Sequence, residues 1–469
     1  MIEQNLLKSI INVKKVLGSC DCSHFESLSS DSRNLKEGQI FLGIKGDKYD
    51  GFQFIRDVLK TGVVVIICQD EEGREDKIKK LLKEYPERLF IIVEDVIFYL
   101  QELARLKTER WLSEKPERKI IGITGSNGKT THKEMMTWLF ESVRPGKTLF
   151  TEGNLNNHIG VPLTLLRLQE EHEFAVIEMG TNHPGEIQRL CEIAQPNAGV
   201  LTNIGCSHLE HFGTEEAVFN EKKCLFDWVR KQTDCLGKFV LCSDDLYLRL
   251  LIDKYVTSFG KKDHHIQFKV EGQKVTLHFM KEDTYSTIRN NFIVGEHNFS
   301  NLVCCFLVAL ELFPGESDGL IQAASLFRPC QNRGAWFEGE GKSYFLDAYN
   351  ANPSSMKKSL EGFMNYCTNR EIALEDCYFV IGDMNELGSQ SDMYHRDIGS
   401  YLKKCKVPHA SFIGNFSALY EEGYKKQAPL FNDVEEFLPF WEKEKENYKY
   451  FFIKASRSLQ LESLVDITI

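Results

Sequence analysis

Residues Lys119-Ile-Ile-Gly-Ile-Thr-Gly-Ser-Asn-Gly-Lys-Thr-Thr-His-Lys-Glu-Met135 decide the fold of this chain. The apolar run Ile120 to Ile123 predicts a buried strand, and the apolar spacing from Thr130 to Phe140 predicts a helix after a glycine-rich turn. Such a turn lets backbone N–H groups point inward, and the start of the helix adds partial positive charge. The stretch therefore predicts a strand, a loop and a helix built around a phosphate.

The loop itself is close to a known phosphate-binding pattern without matching it fully. Gly125 and Gly128 allow the turn, Lys129 adds a positive charge for a triphosphate, and Thr130 is placed to hold Mg²⁺. Ile123 stands where the full G-x-x-x-x-G-K-[ST] motif has its first glycine, so a glycine turn with a solvated lysine is the alternative. The flanking strand and helix favour the nucleotide interpretation.

Length and composition limit the remaining possibilities. A chain of 469 residues with 42% hydrophobic residues is long enough for three domains at about 150 residues each. Its net charge of −11 argues against a nucleic-acid partner, because binding to a phosphate backbone requires an excess of Lys and Arg. Its 14 cysteines include no C-x-x-C pair, which suits a reducing cytoplasm.

No targeting or membrane segment is predicted. The N-terminus has no basic region followed by an apolar one, and the longest apolar run, Leu302 to Phe313, is shorter than the roughly 20 residues that span a bilayer. We therefore expect a cytoplasmic protein without membrane insertion.

Residues 1–96 predict a first α/β domain. Within it Ser30, Asp31, Ser32 and Arg33 bring hydroxyls and a guanidinium into one loop. A capped turn explains them, and the pattern alone slightly favours it. A nucleotide diphosphate held by Ser32 and Arg33 is the other interpretation, because a guanidinium binds phosphate in a bidentate way.

Residues 97–327 predict a central domain with two further polar segments. Asn154, Asn156 and Asn157 precede an amphipathic run, and their amides suit the recognition of sugar hydroxyls and amides, although a solvated loop is also possible. Glu178 ends an apolar strand that begins at Phe174, where an α/β nucleotide enzyme keeps an acid for Mg²⁺. A strand-end acid in water fits equally well.

A third predicted strand, 198–204, leads to His208 and His211. Polar groups thus follow the carboxyl ends of three predicted strands, and this edge is where ligands bind in parallel sheets. Zinc at the two histidines is disfavoured because no cysteine lies at ligand spacing nearby. In the helix that follows, Lys222 and Lys223 are adjacent, and a solvated charged face is the favoured interpretation of both from the pattern alone.

Residues 328–469 predict a third domain. Strands alternate with helical stretches there, which is typical of a parallel, Rossmann-like α/β sheet. The predicted strands are 344–348, 377–381, 410–413 and 449–453. Ser456, Arg457 and Ser458 lie between the last strand and a helix, where either an anion site or a helix cap with an exposed arginine fits.

Several linked motifs resemble the Mur ligase family. They are Gly-Ser-Asn-Gly-Lys-Thr-Thr-x-Lys-Glu-Met (125–135), Gly-Asn-Leu-Asn-Asn-x-Ile-Gly-Val-Pro-Leu-Thr (153–164), Glu-Met-Gly-x-Asn-His-x-Gly-Glu-Ile (178–187) and His-Leu-Glu-x-Phe-Gly (208–213). Residues 295–301, 329–334, 346–356, 380–388, His395 and 454–458 extend the likeness over all three domains. The resemblance implies an α/β fold with three-domain Mur ligase architecture, comprising a P-loop-type central ATPase domain and a Rossmann-like C-terminal domain.

The resemblance also implies roles for individual residues. ATP would be bound by Gly125, Ser126, Asn127, Gly128, Lys129, Thr130, Thr131, Asn298, Arg333 and Asp347. Asn298 would contact the base together with His297 and Asn301, and Arg333 would reach the phosphates. The substrate-binding candidates are Ser32, Arg33, Asn154, Asn156, Asn157, Asn350, Asn352, Ser456 and Arg457.

Among the two adjacent lysines the resemblance selects Lys222, at a position where the family carries a lysine carbamoylated by CO₂. That modification turns a cation into an anion, which can hold a second Mg²⁺ beside Glu178 and His208. An ordinary salt-bridging lysine is the alternative. The implied catalytic residues are Lys129, His208, Lys222 and Arg333, and the implied metal ligands are Thr130, Glu178, His208 and Lys222.

The activity implied by the resemblance is an ATP- and Mg²⁺-dependent ligase of peptidoglycan precursor synthesis. It adds D-alanyl-D-alanine to UDP-N-acetylmuramoyl-tripeptide through an acyl phosphate, as a monomer, and so serves cell wall biogenesis, cell shape and cell division. A sister ligase for the third amino acid is less well supported, because its Asp-Asn-Pro-Arg motif is missing. A folate polyglutamate ligase would leave the N-terminal domain surplus. A nucleotide-dependent switch that makes no bond is the alternative from another class.

Overall fold

The computed structural model describes residues 2–46, 49–205, 207–234, 237–330 and 332–465. Residues 1, 47–48, 206, 235–236, 331 and 466–469, which fall inside the three predicted domains, lie outside the described residues. Within the described ranges no helix has both the length and the apolar character needed to cross a bilayer.

Strands occur along the whole described chain. They are β1 (Ile2–Glu3), β2 (Val13–Gly18), β3 (His24–Phe25), β4 (Ser27–Ser29), β5 (Gln39–Gly43), β6 (Val65–Gln69), β7 (Leu89–Val93), β8 (Lys119–Thr124), β9 (Thr148–Phe150), β10 (Phe174–Glu178), β11 (Ala198–Leu201), β12 (Lys238–Cys242), β13 (Thr257–Gly260), β14 (Ile266–Glu271), β15 (Lys274–Phe279), β16 (Thr284–Arg289), β17 (Ala335–Gly339), β18 (Lys342–Asp347), β19 (Cys377–Gly382), β20 (Ala410–Ile413), β21 (Leu430–Phe431) and β22 (Tyr450–Lys454).

Helices separate most of these strands. They are α1 (Gln4–Ser9), α2 (Ile55–Lys60), α3 (Arg74–Glu84), α4 (Val96–Glu114), α5 (Lys129–Val143), α6 (Gly160–Leu165), α7 (Glu186–Ala194), α8 (Leu209–Phe212), α9 (Glu215–Gln232), α10 (Glu296–Leu312), α11 (Ser317–Leu326), α12 (Pro353–Asn369), α13 (Ser391–Lys404), α14 (Ser417–Tyr424) and α15 (Val434–Glu444).

The chain divides into two compact units. The first comprises residues 1–122, 146–181 and 185–198, and the second comprises 123–145, 182–184 and 199–469. Three domains with boundaries near 96 and 328 remain a prediction, since this division follows contacts and not the sequence boundaries.

The first unit contains a five-stranded sheet in the order β2-β7-β6-β5-β4. Strands β4 to β7 run parallel, and β2 pairs antiparallel with β7. All five residues of β7 are buried, as expected for a continuous apolar run in a parallel sheet that is covered on both faces. Its core packs Phe41, Val58, Ile66 and Phe90 together. The same unit holds β10 and β9, which are parallel.

The second unit contains the strands β16-β15-β14-β13-β12-β11 in this order, with the end of β8 next to β11. Strands β12 to β14 are parallel, and β14 to β16 form an antiparallel meander. A six-stranded sheet follows in the order β17-β18-β22-β19-β20-β21, parallel except for β17. Phe345, Phe363, Phe379 and Phe452 fill one side of that sheet. The predicted α/β class and the predicted parallel C-terminal sheet are confirmed.

Candidate active site

The phosphate-type loop lies between β8 and α5, as the sequence predicts. Gly125 has φ of 151°, and a Cβ there would lie 1.9 Å from the Thr202 hydroxyl oxygen. Gly128 has φ of 78° and directly precedes α5, which begins at Lys129. The close approach to Thr202 and the left-handed backbone both require glycine.

Hydrogen bonds to the segment after β11 fix the shape of the loop. The Ser126 N–H donates to the Asn203 carbonyl at 2.9 Å, and the Ser126 hydroxyl donates to the Gly205 carbonyl at 2.9 Å. The Asn127 N–H donates to Asn203 Oδ1 at 3.1 Å, and the Thr202 hydroxyl donates to the Asn127 carbonyl at 2.6 Å. Strand β11 therefore ends at residue 201, before the predicted 204, because the backbone beyond it supports the loop.

Lys129 and Thr130 begin the helix that follows the loop. Lys129 Nζ donates to the Gly125 carbonyl at 2.9 Å, so this ammonium group lies against the loop. The Thr130 residue is only 8% exposed. Both side chains thus occupy the positions at a helix N-terminus where an anion and its counter-ion are normally bound.

Lys222 is buried in α9, with 1% of its surface exposed, and none of the described residues accepts a hydrogen bond from it or forms an ion pair with it. Burial lowers the pKa of Lys222 well below its usual value, the charge of Lys129 lowers it further, and Glu221 opposes the shift. Lys223 instead forms a 2.6 Å ion pair with Asp227. The solvated-face interpretation is therefore wrong for Lys222, whose side chain is buried.

His208 contacts a carboxylate in the loop that follows β19. Its Nδ1 lies 2.8 Å from Glu386 Oε2, and this hydrogen bond is the largest of the effects that lower the pKa of Glu386. His211, whose ring centroid is 4.3 Å from that of His183, and Lys129 also lower it. Glu386 is a residue that sequence reasoning missed, although the 380–388 motif contained it. Within the part of the chain that the structure describes, Nε2 of His208 makes no hydrogen bond and is therefore available.

No set of three or more His, Cys, Asp or Glu side chains is arranged to bind a metal anywhere in the described ranges. The metal assignment for Thr130, Glu178, His208 and Lys222 therefore depends on the hydroxyl and on a modified lysine, and it stays a prediction.

The start of α12 is bonded to the phosphate loop. Asn352 Oδ1 accepts from the Ser355 N–H at 2.9 Å, and the Asn352 N–H donates to the Ser355 hydroxyl at 3.0 Å, which forms a capping box. The Asn352 amide nitrogen also donates to Asn127 Oδ1 at 2.6 Å. A residue predicted to bind substrate thus contacts a residue predicted to bind ATP.

Asp347 and Asn350 are joined by a buried lysine. Lys454, which is 1% exposed, donates to Asp347 Oδ2 at 2.7 Å and to the Asn350 carbonyl at 3.0 Å. The Ser359 hydroxyl donates to the same Asp347 oxygen at 2.8 Å. The carboxylate of Asp347 therefore has a fixed orientation at the end of β18.

Asn298 and the two arginines complete the predicted set in the second unit. Asn298 Nδ2 donates to the Val294 carbonyl at 2.9 Å, which fixes its amide at the start of α10. Arg333 lies over the ring of Tyr349, with Arg457 near the same ring and Ser456 next to it in sequence. Contact of Asn298 with a base remains a prediction.

The first unit holds Glu178 and the three asparagines. Glu178 is 2% exposed and accepts from Asn156 Nδ2 at 2.7 Å, so a strand-end acid in water is the wrong interpretation. Asn157 Oδ1 accepts from the N–H groups of Ile159 and Gly160, just before and at the start of α6. Asn154 is exposed. The three amides therefore have three different environments.

The loop with Ser32 and Arg33 has the geometry of a turn. Arg33 donates from Nε and from Nη2 to the two carboxylate oxygens of Asp31 at 2.9 and 3.0 Å, and its N–H donates to Asp31 Oδ1 at 3.0 Å. Arg33 lowers the pKa of Asp31 to about 2. The capped turn is present, and a diphosphate at Ser32 and Arg33 remains a prediction.

The fold and the loop define an α/β protein with a P-loop-type phosphate site. The family model described as the Mur ligase catalytic domain matches residues 24–108, and the one described as the Mur ligase middle domain matches residues 123–309. The chain belongs to the Mur ligase family, and it is MurF-like.

Two relatives that match more than nine-tenths of this chain have the same name. The UDP-N-acetylmuramoyl-tripeptide–D-alanyl-D-alanine ligase of Haemophilus influenzae is 29% identical over 452 residues, which is 94% of this chain and 93% of that protein. The Bacillus subtilis ligase of the same name is 29% identical over 457 residues, covering 93% of this chain and 92% of that protein.

Solved structures give the same likeness. MurF from Acinetobacter baumannii superposes with a TM-score of 0.82 at 26% identity, covering 99% of this chain and 97% of that one. MurF from Thermotoga maritima in complex with ADP superposes with a TM-score of 0.77 at 25% identity, covering 94% of this chain and 96% of that one.

Proposed function

We propose that this chain is an ATP-dependent ligase that joins D-alanyl-D-alanine to the free carboxylate of UDP-N-acetylmuramoyl-tripeptide in cytoplasmic peptidoglycan precursor synthesis. The observation that carries the proposal is the loop at the end of β8, where Lys129 and the start of α5 form a phosphate site. The names of the curated relatives and the ADP complex of a MurF structure support it.

The reaction proceeds in two steps. A carboxylate oxygen of the tripeptide attacks the γ-phosphorus of ATP, the bond to the β-phosphate oxygen breaks, and an acyl phosphate and ADP form. The amine of D-alanyl-D-alanine then attacks the carbonyl carbon. The tetrahedral intermediate expels phosphate and loses a proton, which leaves a peptide bond. Such chemistry depends mainly on alignment and charge neutralisation.

The chain supplies positive groups for that purpose. Lys129 and the N–H groups at the start of α5 would face the phosphates, and Arg333 would reach them from the linker before β17. The Gly125 carbonyl that now accepts from Lys129 would give up this bond to a phosphate oxygen, which is a stronger acceptor. The net charge of −11 makes such local cations necessary for an anionic substrate.

Thr130, His208 and Lys222 would hold Mg²⁺, with Glu178 a further candidate ligand. The burial of Lys222, which lowers the pKa of its amine, fits this role, because only a neutral amine adds CO₂, forming an N–C bond and releasing one proton to give a carbamate anion. When bound, Mg²⁺ would neutralise charge on the phosphate oxygens.

The remaining predicted residues are assigned to substrates by domain. Residues 1–96, with Ser32 and Arg33, would bind the UDP-N-acetylmuramoyl-peptide, and Asn154, Asn156 and Asn157 would contact its sugar or peptide. Residues 97–327 would bind ATP. Residues 328–469, with Asn350, Asn352, Ser456 and Arg457, would bind the dipeptide. We propose that the protein acts as a monomer.

Phosphate release and the mass of the product test this function together. We expect phosphate release only when ATP, the UDP-linked tripeptide and D-alanyl-D-alanine are all present. The product should be heavier than the UDP-linked tripeptide by the two alanyl residues of the dipeptide. A product with one added amino acid would identify a sister ligase. ATP hydrolysis that is indifferent to both substrates would identify a nucleotide switch.

A further inference from the structure

Tyr349 lies against two arginines at once. The Arg333 guanidinium carbon is 3.7 Å from the centroid of the Tyr349 ring, and the Arg457 guanidinium carbon is 5.7 Å from it. Both distances are within the range in which the negative face of an aromatic ring attracts a cation. One side chain therefore supports an arginine assigned to the ATP phosphates and another assigned to the dipeptide.

The Arg333 side chain has no competing partner. Among the described residues none accepts a hydrogen bond from its guanidinium or forms an ion pair with it, so the ring of Tyr349 is the contact that orients it. Its donors are consequently available to an anion, because stacking uses the face of the guanidinium and leaves the N–H groups at its edge free.

The backbone brings the two segments together. The Tyr349 N–H donates to the Asn332 carbonyl at 3.2 Å, and the Gly334 N–H donates to the Leu346 carbonyl at 3.0 Å. Asn332 and Gly334 have φ of 64° and 72°, so Arg333 occupies a tight turn between two left-handed residues. The turn fixes the position of the Arg333 backbone, and the Tyr349 ring fixes the position of its guanidinium.

Arg457 is held differently. It forms an ion pair with Glu462, and the neighbouring Ser456 hydroxyl accepts from the Asn385 N–H at 2.9 Å. Arg457 therefore keeps one fixed partner while its guanidinium lies near Tyr349. The two guanidinium groups repel each other, and the attraction of each to the Tyr349 ring offsets part of that repulsion.

We propose that Tyr349 is a positioning residue that orients Arg333 towards the phosphates and Arg457 towards the carboxylate of the incoming dipeptide. This assignment rests on the proposed function. The hydroxyl of Tyr349 has no hydrogen bond to any residue in the described ranges, so the aromatic ring carries the role. Phenylalanine should therefore replace tyrosine, and an aliphatic side chain should not.

The test compares Tyr349→Leu with Tyr349→Phe. A cation–π contact of about 0.5–2 kcal/mol corresponds to roughly a 2- to 30-fold change, so we expect Tyr349→Leu to raise the KM values for ATP and for D-alanyl-D-alanine within that range. Tyr349→Phe should keep both KM values close to those of the native protein. Tyr255→Leu is the matched control, because Arg230 lies 5.1 Å from the centroid of that tyrosine, outside the proposed site.

Two further measurements separate the possible outcomes. In an Arg333→Ala background, Tyr349→Leu should raise the KM for ATP no further. Binding of a fluorescent ATP analogue without the other substrates should weaken in Tyr349→Leu and stay unchanged in Tyr349→Phe, even if the native protein joins a different pair of substrates. Equal effects of Leu and Phe, or no effect of Leu on either KM, would overturn the proposal.

Discussion

At the scale of single residues, burial distinguishes two lysines that the sequence leaves alike. Lys222 is 1% exposed, whereas Lys223 forms an ion pair with Asp227. An isolated charged lysine in the interior would cost several kcal/mol, and burial accordingly lowers the pKa of Lys222.

Replacing the two lysines separately tests that distinction. We expect Lys222→Met, which keeps the length and removes the amine, to lower kcat by at least about 100-fold, the scale on which loss of one charge-stabilising group is felt. The control Lys223→Met should retain nearly native turnover, measured as phosphate release. Similar activities of the two variants would contradict the role of Lys222.

His395 provides a test of pH dependence away from the proposed site. Its Nε2 accepts from the Met384 N–H at 3.1 Å, and Nδ1 donates to the Ser391 carbonyl at 2.6 Å, so the buried ring is neutral. Burial lowers the pKa of His395, against the opposing effects of the Ser391 hydrogen bond and of Asp392. The unfolded chain therefore binds more protons below the unfolded pKa of about 6.5, and stability falls there as pH falls.

We expect the urea midpoint of the native protein to decrease between pH 7.5 and pH 5.5, and His395→Gln to show a smaller decrease. Other buried histidines, such as His132, whose pKa burial lowers to about 4, should account for the remaining decrease. An unchanged slope in His395→Gln would show that this ring does not contribute.

Only part of this residue detail can be predicted from the sequence. Adjacent lysines differ in burial because neighbouring positions on a helix point about 100° apart, and the pattern does not show how deep the covered face is. Glu386 escaped prediction because its role depends on His208, which lies far away in the sequence. A local sequence pattern does not show which distant residues come into contact.

At the scale of elements, the phosphate loop depends on backbone that only glycine permits. A Cβ at Gly125 would lie 1.9 Å from the Thr202 hydroxyl oxygen and 3.0 Å from its backbone nitrogen. The loop would have to move away from the segment after β11 that now supports it. The strand, turn and helix could be predicted because apolar periodicity and glycine spacing are local signals.

We expect Gly125→Ala to weaken binding of an ATP analogue by at least about fivefold, since backbone strain of this kind costs on the order of 1–3 kcal/mol. Gly319→Ala is the control, because no atom lies within 4 Å of a Cβ at this position in α11. It should leave binding unchanged and stabilise the fold by up to about 1 kcal/mol. Native affinity in Gly125→Ala, measured by calorimetry, would contradict the loop assignment.

One residue of the capping box of α12 also contacts the phosphate loop. Asn352 and Ser355 bond to each other, but only Asn352 reaches Asn127 in the phosphate loop, at 2.6 Å. We expect Asn352→Ala and Ser355→Ala each to lower stability by about 1 kcal/mol. Only Asn352→Ala should also raise the KM for ATP, because only this variant releases the loop. Identical kinetics in the two variants would show that Asn352 acts only as a helix cap.

At the scale of the whole molecule, the alternation of strands and helices was enough to predict the class. The predicted C-terminal strands match β18, β19, β20 and β22 within two residues, because parallel strands are continuous apolar runs. The orders of the sheets could not be predicted, since strand order depends on contacts between segments far apart in sequence. The domain boundaries and the substrates remain predictions.

The central claim is that the carboxylate of one substrate is activated by the phosphate of another at the loop that contains Lys129. Labelling that carboxylate of the UDP-linked tripeptide with ¹⁸O and analysing the released phosphate by mass spectrometry tests it most directly. Acyl phosphate formation predicts one ¹⁸O in each phosphate released with D-alanyl-D-alanine, and none when the label is in the dipeptide. Unlabelled phosphate formed at the rate of ligation would contradict the account.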